Sequence, residues 1–255
     1  MTDFLVLPPR LDATARLLAA AARRRGLPVA QGRHELRGAG HVYGGPVFAG
    51  EVAAALDLAL LEPADDWLVT LPYRYTCRDI VMSTVGDARW TRTPAFVKQP
   101  RDKDLPATVY ADGSRLPALA ADTPVLVSGI VSFLVEYRLF VLDGVVHAGS
   151  RYATHGRLDP APLDGCRDRD AVLEFAGGLL GACAGGLPSA VVVDVGLASD
   201  ADRGEERWAV VEANMGWFSS GYAADPDRVL DVVLRAAGPR DRLLPRDAPF
   251  DRAVS

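Results

Sequence analysis

The stretch that decides the fold runs from residue 189 to residue 214 and reads SAVVVDVGLASDADRGEERWAVVEAN. Two β-branched, apolar runs, Ser189–Gly196 and Trp208–Asn214, predict buried strands, and each run carries one acid, Asp194 or Glu212. The polar segment between the runs is rich in turn-forming residues and predicts a solvated loop. We therefore expect an antiparallel hairpin in which the two carboxylates can face each other.

The two acids of this hairpin require a positive charge, because burying an ionised carboxylate alone costs several kcal/mol. Asn214 lies two residues after Glu212 and therefore shares its face of the strand. Oxygen ligands without a nearby thiol or imidazole suit Mg²⁺, which usually shares its coordination sphere with phosphates and water. The alternative is a structural carboxylate pair neutralised by arginine, and the hairpin alone favours neither.

The composition of the chain excludes several classes of protein. Its 255 residues are 49% hydrophobic, which is enough for a substantial core, and the net charge of −5 argues against a general binder of nucleic acids or membrane surfaces. The estimated isoelectric point of 5.4 agrees with that exclusion. Three separated cysteines favour neither a disulfide framework nor a zinc site, and the N-terminus lacks a signal sequence. We expect a soluble, cytoplasmic protein.

The first section, residues 1–93, predicts a small α/β lobe in which strands and helices alternate. It contains neither a GxGxxG fingerprint nor a P-loop. The predicted elements are strands at Phe4–Leu7, Leu27–Ala30 and Trp67–Pro72 and helices at Asp12–Arg25, Glu51–Leu61 and Arg78–Met82.

After Thr93-Pro94 the character of the sequence changes to strands with charged turns. Ala95–Lys98 predicts a strand that ends in a lysine, and the charged turn Gln99–Asp104 carries Lys103. These are the only two lysines of the chain. Lysines mostly keep a surface soluble, but their concentration in one strand-turn unit favours a role in binding phosphates.

The middle of the chain predicts a strand with a linker and then a hairpin. Pro124–Val131 is an apolar strand that runs into a short linker. Glu136–Leu142 and Val145–Arg151 flank Asp143-Gly144, a strong hairpin signal that places Arg138 and Arg151 in one sheet. Both arginines could bind phosphate or carboxylate in bidentate fashion, or they could form ion pairs with Glu136 or the acids described above. Helices are predicted at Asp170–Cys183 and Pro226–Ala237, followed by a tail on the surface at Arg240–Ser255.

Six short motifs occur in an order that resembles the ATP-grasp enzymes. They are Phe96–Lys98, Val125–Val131, Glu136–Arg138, Ser150–Arg151, Val193–Val195 and Glu212–Asn214. The chain most resembles the compact group related to the ribosomal-protein glutamate ligases, over about residues 94–237. The resemblance implies an α/β fold with α+β lobes: a small N-terminal lobe at residues 1–93, a two-lobed ATP-grasp domain at 94–238 whose antiparallel sheets clamp ATP, and a tail at 239–255.

The resemblance also implies a role for each candidate residue. The predicted ATP ligands are Lys98 and Lys103 at the phosphates, the backbone of Ser128, Gly129, Ile130 and Val131 at the adenine, and Glu136 near the ribose. The predicted Mg²⁺ ligands are Asp194, Glu212 and Asn214. Arg138 and Arg151 would stabilise the γ-phosphate and an acyl phosphate. Further candidates for substrate contact are Arg74, Arg78, Tyr152, His155 and Trp217.

The activity that the resemblance implies is the joining of a carboxylate to an amine, with ATP converted to ADP. Such chemistry needs positioning and positive charge around the transferred phosphoryl group and no protein nucleophile. The expected substrates are small molecules, peptides or protein ends, and the small first lobe leaves room for a partner chain such as a second copy in a homodimer. The alternatives are an ATP-dependent phosphotransferase and a non-catalytic nucleotide-binding module. Gly129, which stands where many members have a glutamate, gives the last of these some weight. The intact set of Lys98, Asp194, Glu212 and Asn214 counts against it.

Overall fold

The computed structural model describes residues 3–32, 38–101, 104–183, 185–199 and 205–252. Its strands are β1 (Phe4–Leu7), β2 (Val29–Gln31), β3 (Gly40–Val42), β4 (Leu58–Leu60), β5 (Ile80–Thr84), β6 (Ala95–Lys98), β7 (Thr108–Tyr110), β8 (Pro124–Ser128), β9 (Ser132–Leu142), β10 (Val145–Thr154), β11 (Arg157–Pro162), β12 (Ala190–Ser199), β13 (Glu206–Asn214) and β14 (Ala237–Pro239). Its α-helices are α1 (Ala13–Arg24), α2 (Pro46–Leu56), α3 (Trp67–Thr70), α4 (Tyr73–Thr76), α5 (Val85–Ala88), α6 (Arg169–Ala182) and α7 (Pro226–Ala236). No helix in these described ranges is both long and apolar enough to cross a lipid bilayer.

The chain divides into two compact units. The first unit comprises residues 1–64, 135–195 and 212–255, and the second comprises residues 65–134 and 196–211. The boundaries fall within β9, β12 and β13, so these strands contribute residues to both units. The predicted domain boundaries after residues 93 and 238 stay a prediction.

The N-terminal part of the first unit is a parallel sheet of order β2-β1-β3. The predicted β-α-β start is confirmed: Asp12 caps α1 by accepting a hydrogen bond from the backbone N–H of Ala15, and β2 then pairs parallel with β1. Helices α1 and α7 pack against each other, and their apolar faces enter one core with β1 and the fully buried Trp217. Asp225 caps α7 with Pro226 at its first position, as predicted.

The five-stranded sheet of order β11-β10-β9-β12-β13 carries the deciding stretch of the sequence. The predicted turn between β9 and β10 is confirmed: Asp143 and Gly144 have positive φ angles of 51° and 78°, as this two-residue hairpin turn requires. Residues 190–196 of β12 are all buried, which explains their unbroken apolar character apart from Asp194. The predicted α/β class with antiparallel sheets is thus confirmed.

The second unit contains a four-stranded sheet of order β5-β8-β6-β7, antiparallel throughout. Two predictions in this unit were wrong. Residues 78–82 do not form a helix, because Ile80–Thr84 pairs with β8 as a strand. The run at 67–72 is not a strand but the one-turn helix α3. Short apolar runs do not by themselves distinguish the two states.

Two other expectations were wrong in the first unit. The predicted helix at Glu51–Leu61 starts earlier, at Pro46, and ends at Leu56, because Asp57 takes a left-handed conformation (φ 51°) that turns the chain into β4. The C-terminal tail does not simply lie on the surface. Within it, Asp251 forms an isolated β-bridge with Leu61, and Asp247, only 1% exposed, accepts hydrogen bonds from the backbone N–H and hydroxyl of Ser189.

Candidate functional site

Asp194 and Arg138 form the centre of the candidate site in the first unit. Asp194 lies on the buried strand β12 and is 1% exposed. Arg138, on the neighbouring strand β9, donates from Nε to Oδ1 of Asp194 at 2.9 Å and from Nη2 to Oδ2 at 2.6 Å. This fork is the bidentate geometry that makes an arginine-carboxylate pair both strong and directional. The ion pair with the buried acids, left open by the sequence, is therefore present.

Glu212 and Asn214 join this pair from β13. The amide nitrogen of Asn214 donates to Oε1 of Glu212 at 2.9 Å and approaches Oδ2 of Asp194 at 3.5 Å. The alternation of side chains along β13 brings the two β13 side chains to one face, as the spacing predicted. The structure thus assembles the three predicted metal ligands in one place.

Burial and neighbouring charges shift the pKa values of Asp194 and Arg138. Burial, together with the carboxylates of Glu212 and Glu136, holds the pKa of Asp194 above its ordinary value even though Arg138 opposes that shift. Burial disfavours the charge of Arg138 too, but Asp194 outweighs that effect and raises the pKa of the guanidinium. Glu212 and Glu136 therefore lie close enough to Asp194 to disfavour its charge, whereas Arg138 favours it.

Two tyrosine rings cover Arg138. The rings of Tyr152 and Tyr222 stack with their centroids 5.3 Å apart, and the guanidinium carbon of Arg138 lies 5.5 Å and 5.3 Å from their respective centroids. The hydroxyl of Tyr152 also donates to Glu136 at 2.6 Å. Tyr222 was missed from the sequence. It occupies a left-handed conformation (φ 49°) in an irregular loop, and no local pattern marks that residue as a neighbour of Arg138.

Arg151 belongs to a different arrangement. It lies opposite Tyr137 in the hairpin, whereas Arg138 lies opposite Ser150, so the alternation of side chains places the two arginines on different faces. Arg151 forms an ion pair with Asp159 at 2.9 Å and donates to the Asp159 backbone carbonyl. The two arginines share a sheet, as predicted, but they do not share a cluster. A catalytic role for Arg151 stays a prediction.

The predicted nucleotide ligands of the second unit lie on two neighbouring strands, β6 and β8, and on the linker that follows β8. Lys98 ends β6 and is paired in register with Leu126 of β8. At the end of β8 Ser128 is buried, and the backbone N–H of Gly129 donates to the carbonyl of Asp79. Ile130 is 50% exposed, and both it and Val131 line a cavity. The predicted ligand Lys103 lies outside the described residues.

The remaining substrate-contact candidates have various surroundings. Arg74 lies over the ring of Tyr75, and Arg78 donates to backbone carbonyls. His155 has a φ of 49° in the turn between β10 and β11, a position fixed by the geometry of the turn. Trp217 is fully buried and donates from Nε1 to the carbonyl of Leu61, which makes it a core residue.

The chemistry of the cluster fits a hard divalent cation. Asp194, Glu212 and Asn214 offer two carboxylates and an amide, which are the hard oxygen ligands that such a cation prefers. Within the described ranges, no group of three or more His, Cys, Asp or Glu side chains is arranged to hold a metal ion. Any protein-bound metal here would therefore need the amide oxygen, or water and ligand oxygens, to complete its coordination.

Comparison with known proteins identifies the family. A family model described as an ATP-grasp domain matches residues 75–232, which is more than half of the chain. No curated protein sequence matches. The crystal structure of a RimK domain ATP-grasp protein from Sphaerobacter thermophilus is similar with a TM-score of 0.52 and 18% identity, covering 91% of this chain and 100% of that one.

A second solved structure shares the fold. N5-carboxyaminoimidazole synthase from Aspergillus clavatus, crystallised with ADP and an aminoimidazole ribonucleotide, has a TM-score of 0.51 and 12% identity to this chain. The match covers 98% of this chain and 80% of that one. Together with the family match, this similarity confirms the resemblance inferred from the order of motifs: the chain belongs to the ATP-grasp superfamily.

Proposed function

We propose that this protein is an ATP- and Mg²⁺-dependent ligase that joins a carboxylate to an amine through an acyl phosphate and releases ADP and phosphate. The observation that carries the proposal is the buried cluster of Asp194, Glu212 and Asn214 beside Arg138. It combines hard oxygen donors with a fixed guanidinium, and phosphoryl transfer requires both kinds of group.

The residues of the cluster have separate roles in the proposed reaction. Arg138 is fixed by Asp194 on one edge and by two aromatic rings, so its positive charge is held in place before any substrate arrives. A charge that needs no rearrangement stabilises a developing negative charge more effectively than a mobile one. Asp194, Glu212 and Asn214 would hold Mg²⁺, which when bound neutralises phosphate charge.

The second unit supplies the nucleotide-binding part of the proposal. Lys98 on β6 would act as a point charge for phosphate, and the backbone of Ser128–Val131 would contact the adenine. No side chain of the cluster in the first unit needs to act as a nucleophile, because the substrate carboxylate attacks the γ-phosphorus of ATP and the amine then displaces phosphate from the acyl phosphate.

The test begins with calorimetric titration of ATP with and without Mg²⁺. We expect binding that depends on Mg²⁺ in the wild type and that falls about tenfold or more in Glu212→Gln, because that change removes one charged ligand. Glu206→Gln is the matched control, since it removes a carboxylate from the exposed start of the same strand. Equal weakening in the two variants, or no ATP binding at all, would contradict the proposed site.

The reaction is tested by screening pairs of carboxylates and amines for release of ADP. We expect ADP to form only when both substrates are present. Release of AMP and pyrophosphate would exclude an acyl-phosphate ligase. A stable phosphorylated product that needs no amine would show a phosphotransferase instead. Tight ATP binding without turnover in any mixture would show a non-catalytic nucleotide-binding module.

A further inference from the structure

Residues 219–224 form an irregular loop between β13 and α7, here called the Tyr222 loop, which brings the ring of Tyr222 to Arg138. Tyr222 lies in the left-handed region (φ 49°), a conformation that is rare for a bulky residue and persists only where the surroundings hold it. We propose that Thr14 and Ser150 are positioning residues, whose hydroxyls hold this loop so that its tyrosine ring stays against Arg138. The link to catalysis rests on the proposed function, whereas the hydrogen bonds do not.

Thr14 holds the loop on one side of Tyr222. It lies in the first turn of α1 and is 7% exposed, and its Oγ1 accepts a hydrogen bond from the backbone N–H of Gly221 at 2.9 Å. The start of α1 is itself fixed, because the side chain of Asp12 caps it. The hydrogen bond of Thr14 therefore ties the loop to a helix whose own end is held in place.

Ser150 holds the loop on the other side of Tyr222. It is fully buried in β10, and its Oγ accepts a hydrogen bond from the backbone N–H of Ala223 at 3.1 Å. The single hydrogen of this hydroxyl is directed to the carbonyls of Arg151 and Ala161, so the lone pairs of Oγ are left for the loop. Ser150 also lies directly opposite Arg138 in the hairpin. The anchor of the loop and the arginine that the ring covers are therefore neighbours in one sheet.

These two hydrogen bonds bracket Tyr222, because one is made by the residue before it and one by the residue after it. Removing either hydroxyl leaves a backbone N–H without its acceptor, which makes this conformation of the loop less favourable. The ring centroid of Tyr222 lies 5.3 Å from the guanidinium carbon of Arg138, so a displaced loop would take away one of the two rings that flank this group. A charge that must reorganise stabilises a transferred phosphoryl group less well. Loss of either hydroxyl should therefore weaken catalysis although neither hydroxyl contacts substrate.

Nuclear magnetic resonance of the protein without substrates tests the placement of the ring. The Arg138 Nε–H signal is assigned as the one missing from Arg138→Lys. We expect Thr14→Val, which keeps the shape of the side chain, to move this signal toward its position in Tyr222→Ala and to speed hydrogen exchange at the Gly221 amide about tenfold or more. Thr14→Ser keeps the hydroxyl and should resemble the wild type. An Arg138 signal that stays in place in both Thr14→Val and Ser150→Ala would overturn the inference.

Ser189→Ala is the matched control for the loss of a buried hydroxyl. Ser189 is 4% exposed and donates to Asp247, outside the Tyr222 loop. We expect this variant to leave the Arg138 signal in place, although it too loses a hydrogen bond. A displacement as large as that in Thr14→Val would show a general effect of lost stability and would overturn the inference.

A mutant cycle tests the link to catalysis, with the carboxylate and amine pair that supports release of ADP. We expect Thr14→Val to lower kcat by about threefold with little change in the KM for ATP, and Thr14→Ser to restore kcat. In the Tyr222→Ala background the same Thr14→Val substitution should change kcat by less than about 1.5-fold, because the ring that it positions is already gone. Equal factors in the two backgrounds would show that Thr14 acts independently of the ring and would overturn the inference.

The inference and the proposed function can fail separately. If Thr14→Val moves the Arg138 signal while no carboxylate and amine pair releases ADP, the placement of Tyr222 by the two hydroxyls stands and the ligase proposal fails. If ADP is released while neither the Arg138 signal nor kcat changes in the variants, the proposed function stands and the inference fails.

Discussion

The ion pair between Arg138 and Asp194 allows a stability prediction with a defined size. Their side chains are 12% and 1% exposed, so Arg138→Met leaves a carboxylate buried without its main partner. Breaking a buried ion pair from one side costs about 3–5 kcal/mol, a large part of the about 5–15 kcal/mol that keeps a domain folded. We expect a loss of this size in the free energy of unfolding, measured by urea denaturation at pH 7.

A second substitution separates the penalty of the lone charge from the loss of packing. Arg138→Met combined with Asp194→Leu removes both charges. Replacing a buried ion pair with apolar side chains often changes the stability of the protein little. We expect the double variant to be more stable than Arg138→Met alone. Arg151→Met is the matched control, because its pair with Asp159 is 28% and 46% exposed and is worth about 1 kcal/mol or less.

The loss in Arg138→Met should also depend on pH. The pKa of Asp194 is already raised by burial, and removing Arg138 raises it further. The pKa of such a carboxyl group is higher in the folded state than in the unfolded state, where it is near the ordinary value of 3.8. The group therefore favours the folded state at pH values below the unfolded pKa, and this contribution to stability is lost as the pH rises through the folded pKa. The gap between wild type and variant should therefore widen from about pH 4 to about pH 8. A gap under about 1 kcal/mol at pH 7, or a double variant less stable than the single one, would refute the reasoning.

Three further predictions concern other parts of the chain. Burial lowers the pKa of His41, so the wild type should lose stability as the pH falls from about 7 to about 5, and urea denaturation should show a smaller loss in His41→Gln. Gly113→Ala should lower the melting temperature, because a Cβ atom would overlap a backbone carbonyl, whereas Gly50→Ala in the open face of α2 should add about 0.5–1 kcal/mol. Tyr222→Phe should keep the rate of ADP release. Tyr222→Ala, which removes the ring beside Arg138, should lower kcat by about threefold to tenfold with little change in the KM for ATP. Equal rates in the two variants would contradict a role of the Tyr222 ring in holding Arg138.

Much of the fold could be predicted because local chemistry specified it. Asp143-Gly144 specified a two-residue turn, and with it the pairing of β9 and β10. The acid in an otherwise apolar strand identified Asp194 as a buried residue that needs a cation. Where the local signal was ambiguous the prediction failed: residues 78–82 have no clear period, and only pairing with β8 makes Ile80–Thr84 a strand.

The partner of Asp194 could not be predicted, because the sequence specifies that this acid needs a cation without specifying which residue provides it. Sequence spacing offered both Arg138 and Arg151. A regular hairpin closed at Asp143-Gly144 would pair Arg138 with Gly149, and the alternation of side chains would then place Arg151 on the same face as Arg138. Both arginines would lie on the side of the sheet that carries the acids.

A bulge in β10 separates the two arginines. The register of the hairpin shifts between Val146 and Ala148. As a result, Arg138 lies opposite Ser150 and not opposite Gly149. One extra residue in a strand moves the side chains after it to the opposite face, here as far as the next register shift between Arg151 and Ala153. Arg151 therefore points away from Arg138 and pairs with an acid of β11. The extra residue is His147, and the glycine nearest to it, Gly149, is itself paired in register with Leu139. The choice of the arginine at the centre of the site thus depends on a local irregularity of the backbone, which the spacing of charged residues does not encode.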